Sequence, residues 1–573
     1  MNPSAKEPRT PGHPLRLWPG IVLVVTQWLA RFGLPLIVPA AVPIGAMAAL
    51  LCGLGIVVWW MFFSRAPRAE RFGAVALLVV LMVSAWFLLH PSIATGMMGL
   101  MFIVYSVPVI SLAFVVWTVA SRGLSVRARW ASMAGAIALG CGVWTLVQTA
   151  GMTGNAESEF MWRWADTPEE RLLARGEVAA TGSVAEADLG STWPGFRGVD
   201  RNGDVPGERI ATDWAASPPM ELWRRPVGPG WSSFAVANGV FYTQEQRGEE
   251  EVVSAYELTT GEPVWRHRDP VRFWESNAGP GPRGTPTLHQ GRIFSFGATG
   301  VLNALRAEDG SRLWSRDVAA DTGVNPPTWG FASSPLVAGD LVVVAASGAL
   351  AAYDLDSGEP RWLGPNLKGG YSSPHLLTLG GVEQILQLRG KGLVSVAVAD
   401  GKLLWEHDWS GDPVLQPALT DQGDVLISVN AGSGIRRIAV DQGSEGWATE
   451  ELWTSRGLKP YFSDFVVHRG HAYGFDGRIL SCIELESGER QWKGGRYGSG
   501  QLVLLPRQDL LLVISEQGEL ALVQAKPDGF AEVARFPALA SKTWNHPVLV
   551  GDHLLVRNDR EMAAFRLAMA DGL

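Results

Sequence analysis

Hydrophobic positions follow two different rules in the two parts of this chain. Up to about residue 151 they run together in long apolar stretches, roughly 17–38, 41–63, 72–89, 97–120 and 130–150. Each is near the ~20 residues a helix needs to cross a hydrocarbon core, with 72–89 at the short limit. They predict an all-α polytopic transmembrane domain of about five helices over 1–151. Beyond residue 193 the pattern changes to short β-rich runs broken by turn residues. In 333–362, SSPLVAGDLVVVAASGALAAYDLDSGEPRW, the runs PLVA, LVVVAA and ALAAYDL are parted by Gly-Asp and Ser-Gly, and a fourth follows Ser-Gly-Glu-Pro. Gly, Asp and Ser supply the positive-φ or side-chain-capped conformations that tight hairpins require. This is a four-stranded meander the size of one propeller blade.

The unit repeats. Tryptophans close strand-like runs at Trp223, Trp265, Trp314, Trp362, Trp405, Trp453 and Trp492, spaced 42, 49, 48, 43, 48 and 39 residues apart. Most follow one phrase: AYELTTGEPVW at Ala255–Trp265, ALRAEDGSRLW at Ala304–Trp314 and AYDLDSGEPRW at Ala352–Trp362, with AVADGKLLW and IELESGERQW ending at Trp405 and Trp492. Eight blade starts can be counted, but the last, at Asn545, has room for only about three strands before Leu573. The run Glu221–Arg225 precedes the first blade and supplies the missing outer strand, closing the ring and removing its exposed edges. The expected fold over 193–573 is therefore an all-β, eight-bladed β-propeller. A large ring at a fixed blade position beside a glycine turn packs between blades, so the seven tryptophans read as structural.

Residues 152–192 join the two parts as a juxtamembrane helix and linker. Phe160–Trp164 reads as an interfacial aromatic anchor. Thr167-Pro168-Glu169-Glu170 reads as N-cap, N1 proline and capping-box glutamate, and the Ala/Gly-rich run to Ser191 as linker. Lys6, Arg9 and Arg16 precede the first apolar stretch, Arg65, Arg68 and Arg71 separate the second and third, and Arg122, Arg127 and Arg129 the fourth and fifth; the alternate loops carry no Lys or Arg. Positive loops stay cytoplasmic. Five spans then place the N-terminus inside and the propeller outside, in an inner-membrane, multi-pass protein with an extracytoplasmic or periplasmic propeller. Arg31 lies within the first stretch and has two readings: a span that ends there or an arginine that snorkels to the interface, or a functional intramembrane charge at a quinone site.

Charge follows the same division. The first 151 residues hold ten Lys/Arg against two Asp/Glu, or +8, which leaves −16 on the remainder of a chain of net charge −8. An acidic propeller argues against nucleic acid as a partner, since phosphate backbones demand a basic footprint. Cys52 and Cys141 fall in apolar stretches and Cys482 alone in the propeller, so the propeller holds no internal disulfide; Cys482 reads as a small buried hydrophobe. No zinc spacing, Gly-x-Ser-x-Gly elbow or phosphate loop is present.

The repeated phrase resembles the tryptophan-docking motif, Ala-x-Asp-x-x-Thr-Gly-x-x-x-Trp, of the pyrroloquinoline quinone (PQQ)-like β-propeller repeat family. Ala255–Trp265 matches it with Glu257 in the Asp position, and Trp193-Pro194-Gly195-Phe196-Arg197-Gly198 followed by Arg201-Asn202-Gly203 resembles the entry to such propellers. The resemblance covers about 193–570. It implies either a cofactor-free binding or scaffolding module of the cell envelope, of the BamB type, with envelope protein partners, or a quinoprotein dehydrogenase of the glucose or alcohol type, with PQQ and calcium, passing electrons to membrane ubiquinone. The long cofactor-building insertions and adjacent-cysteine pair of the dehydrogenases are missing, so no catalytic residue carries over.

In a propeller, the loop entering each blade's inner strand opens on one face, around the central channel. The residues just before those strands are Trp231, Arg283, Trp329, Tyr371, Tyr461, Tyr497 and Trp544, six of the seven aromatic. The longer loops add Glu275, Asn277 and Asn325, and Lys368, Lys459, Asp464, Arg496, Lys542 and His546 lie beside them. Convergent aromatic faces with a few polar groups make a binding site, or they wedge the inner strands apart. A flat quinone would stack on a tryptophan with Arg283 on its carboxylates, and Glu275, Asn277 and Asn325 would offer calcium its oxygens. His546, in an Asn-His-Pro turn, reads as a hydrogen-bonded structural residue.

Overall fold

The computed structural model describes residues 15–38, 41–154, 156–180, 182, 192–366, 369–444 and 446–570. Lys6, Arg9, Pro39, Lys368 and the linker residues 183–191 lie outside the described residues. The chain divides into two units, 1–165 with 275–278, and 166–274 with 279–573.

In the first unit, four helices are long and apolar enough to cross a membrane: α1 (Trp18–Ile37), α2 (Val42–Phe63), α3 (Arg68–Trp86) and α4 (Met101–Gly123). α1 and α2 each contain a π-helical turn, Leu29–Gly33 and Trp59–Phe63. α1 thus continues past Arg31 to Ile37 instead of ending there. The stretch expected to form a fifth span is built differently. Its helix α5, Val126–Gly142, has 17 residues, a 3-10 turn follows over Val143–Leu146, and Val147–Met152 is a strand paired with Ser158–Trp162. The β-branched residues Val143, Thr145, Val147 and Thr149 favour that change. Phe160 of the partner strand packs 4.8 Å from Tyr105 and 5.5 Å from Trp144. α2 to α5 surround an apolar cleft of about 370 Å³ lined by Leu54, Val57, Leu78, Ile103 and Phe114 among others.

The second unit is an eight-bladed β-propeller. Its four-stranded antiparallel sheets occupy 235–269, 287–317, 336–366, 375–408, 418–455, 466–496, 501–537, and 548–566 joined by 220–226. The expected closure is present: Met220 pairs with Arg566 and Pro226 with Glu561. Arg557 of blade eight, wholly buried, bolts this seam. Its guanidinium donates to Thr243 Oγ1 and to the carbonyls of Gln244, Gly228 and Gly230.

The tryptophans hold neighbouring blades together, as their position predicts. The indole N–H of Trp223, Trp265, Trp314, Trp362, Trp453 and Trp492 donates to a main-chain oxygen of the next blade, at Leu258, Ala307, Leu355, Val398, Leu485 and Lys526. The glycine of the phrase receives the ring face. At Gly310, with φ +71°, a Cβ would lie 2.4 Å from Trp265, and at Gly401, φ +68°, 2.4 Å from Trp362. Trp405 departs from the rule and donates within its own blade, to Gln384, because blade five replaces the glycine turn by a long hairpin, Ile435–Gly443 with Gly446–Ser455. Blade seven carries Ala534, opposite Leu522, where the others carry tryptophan.

Two segments before the first blade are fastened to the ring. A capping box starts the short helix α6 (Pro168–Ala174), in which Glu170 and Thr167 satisfy each other's main-chain N–H. Glu169 meets Arg272 at 2.8 Å, Glu177 pairs with Arg268, and the Gly182 N–H donates to Val264 O. The described part of the stretch expected as juxtamembrane helix and linker, 166–180 and Gly182, thus lies along the outer edge of blade one. The second segment, Trp193–Val205, crosses the middle of the ring. Trp193 bridges Val236 of blade one, and Pro194 O accepts from Leu288 of blade two. Arg201 donates to Ser334 O and Pro335 O of blade three, and Arg197 to Phe465 O of blade six. Gly203 O and the Val205 N–H bond Leu504 of blade seven. Blades two and three face six and seven across an eight-membered ring, so a segment this short touches both only by passing through the axis.

Candidate functional site

The mouth of the channel is positioned by one recurring residue. Ser233, Thr285, Ser334, Ser373, Gln416, Asp464 and His546 stand two residues ahead of their inner strands, and Gln501 opens its own. Their side chains pass hydrogen bonds from blade to blade. The Ser233 N–H donates to Thr285 Oγ1, Thr285 N–H to Ser334 Oγ and Ser334 N–H to Ser373 Oγ, each at 2.9 Å. The amide of Gln416, oriented to satisfy both contacts, accepts from Ser373 N at 3.0 Å and donates to Ser373 O; Asp464 N–H donates to Gln501 Oε1 at 3.0 Å. Short hydroxyl and amide side chains suit this place because they reach the next main chain without bulk. The belt is legible in retrospect as the second letter of each blade start, Ser-Ser, Gly-Thr, Ser-Asp or Asn-His.

Within the belt, the crossing segment brings in charge. His546 Nε2 lies 2.6 Å from Asp464, and Arg197 3.5 Å from the other carboxylate oxygen. Burial raises the Asp464 pKa, but Arg197 and the His546 hydrogen bond outweigh it and hold the carboxyl below its usual range. His546 is hydrogen-bonded, as expected. His375 is pushed down to about 3, by burial first and by Arg201 and Arg197 next, so it is neutral. Phe196 meets His546 edge-on at 5.2 Å and supports Arg201 at 5.8 Å. The channel has a charged, polar floor rather than an open bore.

Above it, some of the expected mouth residues gather and others do not. Trp231 and Trp544 pack with ring centroids 4.7 Å apart, and the Lys542 ammonium stands 4.9 and 4.4 Å from the two ring centres. Phe462 lies 5.2 Å from Trp544 and Tyr461 5.3 Å from Phe462. Glu516 accepts the Trp544 indole N–H at 3.0 Å. These form one half-exposed aromatic surface with a cation on it. Trp329 and Tyr371 form a second pair, at 5.0 Å.

Five candidates lie elsewhere or serve the loops. Tyr497 is fully buried, and its hydroxyl donates to Glu532 on the outer strand of blade seven. Arg283 spends its donors on the carbonyls of Gly279, Pro280, Gly281 and Trp329. The Glu275 carboxylate caps its own turn, accepting from the N–H groups of Asn277 and Ala278. Glu275 and Asn277 fall in the stretch grouped with the first unit, where Asn277 Oδ1 accepts the Met97 N–H. Asn325 is exposed on a different loop, beyond the short helix Val318–Thr322. Of the oxygens expected to hold calcium, those of Glu275 accept from its own turn and Asn277 Oδ1 from Met97 N–H. Among the described residues no group of three or more His, Cys, Asp or Glu is placed to hold a metal ion.

The family model for "Outer membrane protein assembly factor BamB" matches residues 215–362 and 248–494. The BamB protein of Shewanella oneidensis is 25% identical over 371 residues, which are 59% of this chain and 86% of that one. BamB of Burkholderia pseudomallei is 29% identical over 170 residues, 28% of this chain and 42% of that one. Among solved structures, the quinohemoprotein alcohol dehydrogenase of Comamonas testosteroni superposes with a TM-score of 0.50 at 11% identity, over 71% of this chain and 85% of its own; the likeness is one of fold.

Proposed function

From the premise that the propeller belongs to the PQQ-like β-propeller family, we propose that this chain is a membrane-anchored scaffold of the cell envelope, whose loop face docks a protein engaged in outer-membrane protein assembly. The observation that carries the reading is the joined surface of Tyr461, Phe462, Trp544 and Trp231 with Lys542 upon it. Tryptophan and tyrosine dominate the energetics of protein interfaces, and half-buried rings already held in place lose little freedom on binding. The names of the relatives supply the class of partner. The positive loops support a propeller on the extracytoplasmic side of the inner membrane, with α5 and its 3-10 turn, about 33 Å together at helical rises, as a fifth crossing.

The quinoprotein alternative asks for a metal-bound cofactor. The paired tryptophans suit a flat ring, but Glu275 and Asn277, expected to hold calcium, already accept main-chain N–H groups, and Arg283 is occupied by carbonyls. The residues present do not fit the calcium part of that group.

Crosslinked pull-downs from membranes test the scaffold. The wild-type chain should retain a discrete envelope partner, and a Trp231→Ala/Trp544→Ala variant should lose it with an unchanged thermal transition. Equal recovery by both proteins would overturn the assignment of this surface. Reduction of a redox dye by protein supplied with PQQ and calcium would favour the alternative.

A further inference from the structure

α1 carries a cation on the face that packs. Its exposed apolar residues Trp18, Val22, Val25, Leu29, Phe32 and Leu36 recur every three or four positions, which is one side of a helix. Gly20, Val24, Gln27 and Arg31 are buried on the other side. Arg31 is 7% exposed, so it is largely buried within the bundle. The π-turn Leu29–Gly33 surrounds it, and single π-turns recur where a helix presents a functional side chain. A Cβ on Gly45 would come 2.4 Å from Ala30 O, so glycine lets this widened turn lie against α2.

The guanidinium is held between rings, 5.2 Å from Phe32 and 4.8 Å from Tyr105. It has five N–H donors, yet among the described residues it makes no hydrogen bond or ion pair, and its buried Nε has no acceptor. Ser106 Oγ, beside Tyr105 on α4, is also buried without a partner, and its hydroxyl can donate. Aromatic faces offset only part of the desolvation of such a charge, and an unpaired arginine inside a bilayer is unfavourable by several kcal/mol. The missing group is an oxyanion, and the planar fork of arginine matches phosphate in particular. Arg31 stands six residues before the helix end at Ile37, about 9 Å at 1.5 Å per residue. That depth lies just inside the headgroup level and within reach of a long side chain.

We propose that Arg31 binds the phosphate of a membrane phospholipid, drawn between α1 and α4 at the end of the span away from Arg16, with its acyl chains against Phe32 and Leu36. The proposal rests on the reading of α1 as a membrane span. Purified full-length protein in neutral detergent is titrated with phosphatidylglycerol, with diacylglycerol and with inorganic phosphate, and read by native mass spectrometry and thermal shift. Wild type should keep phosphatidylglycerol adducts and rise in Tm by several degrees, with neither effect from the other two additives. Arg31→Lys should keep part of the effect and Arg31→Met should lose it. Equal adducts and shift for Arg31→Met would overturn the proposal. A matching shift with diacylglycerol would reduce the site to an apolar surface, and one with inorganic phosphate to an adventitious anion only; either result overturns it. Carbonate washing of membranes reads the premise separately, and release of both wild type and Arg31→Met into the supernatant would overturn the span itself.

Discussion

Single residues explain why the repeat reads as it does. Glycine in the phrase is required twice over, by a positive φ and by an indole lying where its Cβ would be. Gly310→Ala should therefore cost about 2–4 kcal/mol in a urea titration of the propeller. Trp265→Phe, which leaves Ala307 O only the Tyr242 hydroxyl at 3.2 Å as a donor, should cost about 1 kcal/mol through the lost bond, plus whatever packing the smaller ring loses. Glu251 is a different case. Buried beside Ala298 N–H, its carboxyl is pushed up to about 8 by burial, against the pull of Arg283. The unfolded carboxyl titrates near 4.3, so the folded state binds the extra proton between the two values. Its contribution is fully present below about pH 4 and is lost as pH rises through about 8, at up to ~1.4 kcal/mol per pH unit. Denaturation midpoints should fall more steeply over that window in wild type than in Glu251→Gln, and parallel curves would contradict the protonated state.

At the scale of elements, what was legible in the sequence follows from periodicity. Strand alternation, turn glycines and the tryptophan spacing were enough for eight blades and for closure by Glu221–Arg225, because each depends on neighbours a few residues away. The belt and the crossing segment were not, because their partners come from other blades: Arg197 finds Phe465 O and Asp464, and Arg201 finds Ser334 O. The mouth was half legible for the same reason. Trp231 and Trp544 meet through ring closure, whereas Tyr497 turned inward to Glu532 and Glu275 onto its own loop. In the last apolar stretch, hydropathy does not mark where helix α5 gives way to the 3-10 turn Val143–Leu146 and then to the strand from Val147. The crossing segment also carries a prediction. Arg197→Ala strands a buried Asp464–His546 pair without its cation and should cost about 3–5 kcal/mol, whereas substitution of the exposed Arg469 should stay within about 0.5 kcal/mol. Equal effects in chemical denaturation would refute a structural role for the axial charge.

For the molecule as a whole, orientation and closure are the testable properties. Alkaline phosphatase fused after Gly195 should be active if the propeller is extracytoplasmic, and inactivity would reverse the proposed topology. Removing residues from Glu561 onward deletes the partner of Met220–Pro226 and exposes two sheet edges at the seam. Such a chain should elute as aggregates in size-exclusion chromatography and be cut rapidly by protease; a monodisperse, resistant product would show that seven blades suffice.

The segment through the axis also sets a timetable. It leaves the ribosome before any blade, as does the strand at 220–226, yet their partners include Leu504 and Arg566 near the far end of the chain. Neither can settle until nearly all of the polypeptide has emerged. Pairings so distant in sequence are slow to form, and the waiting strand is an adhesive edge in the meantime. Biogenesis of this protein should therefore depend on holding chaperones more than on the stability of the finished ring.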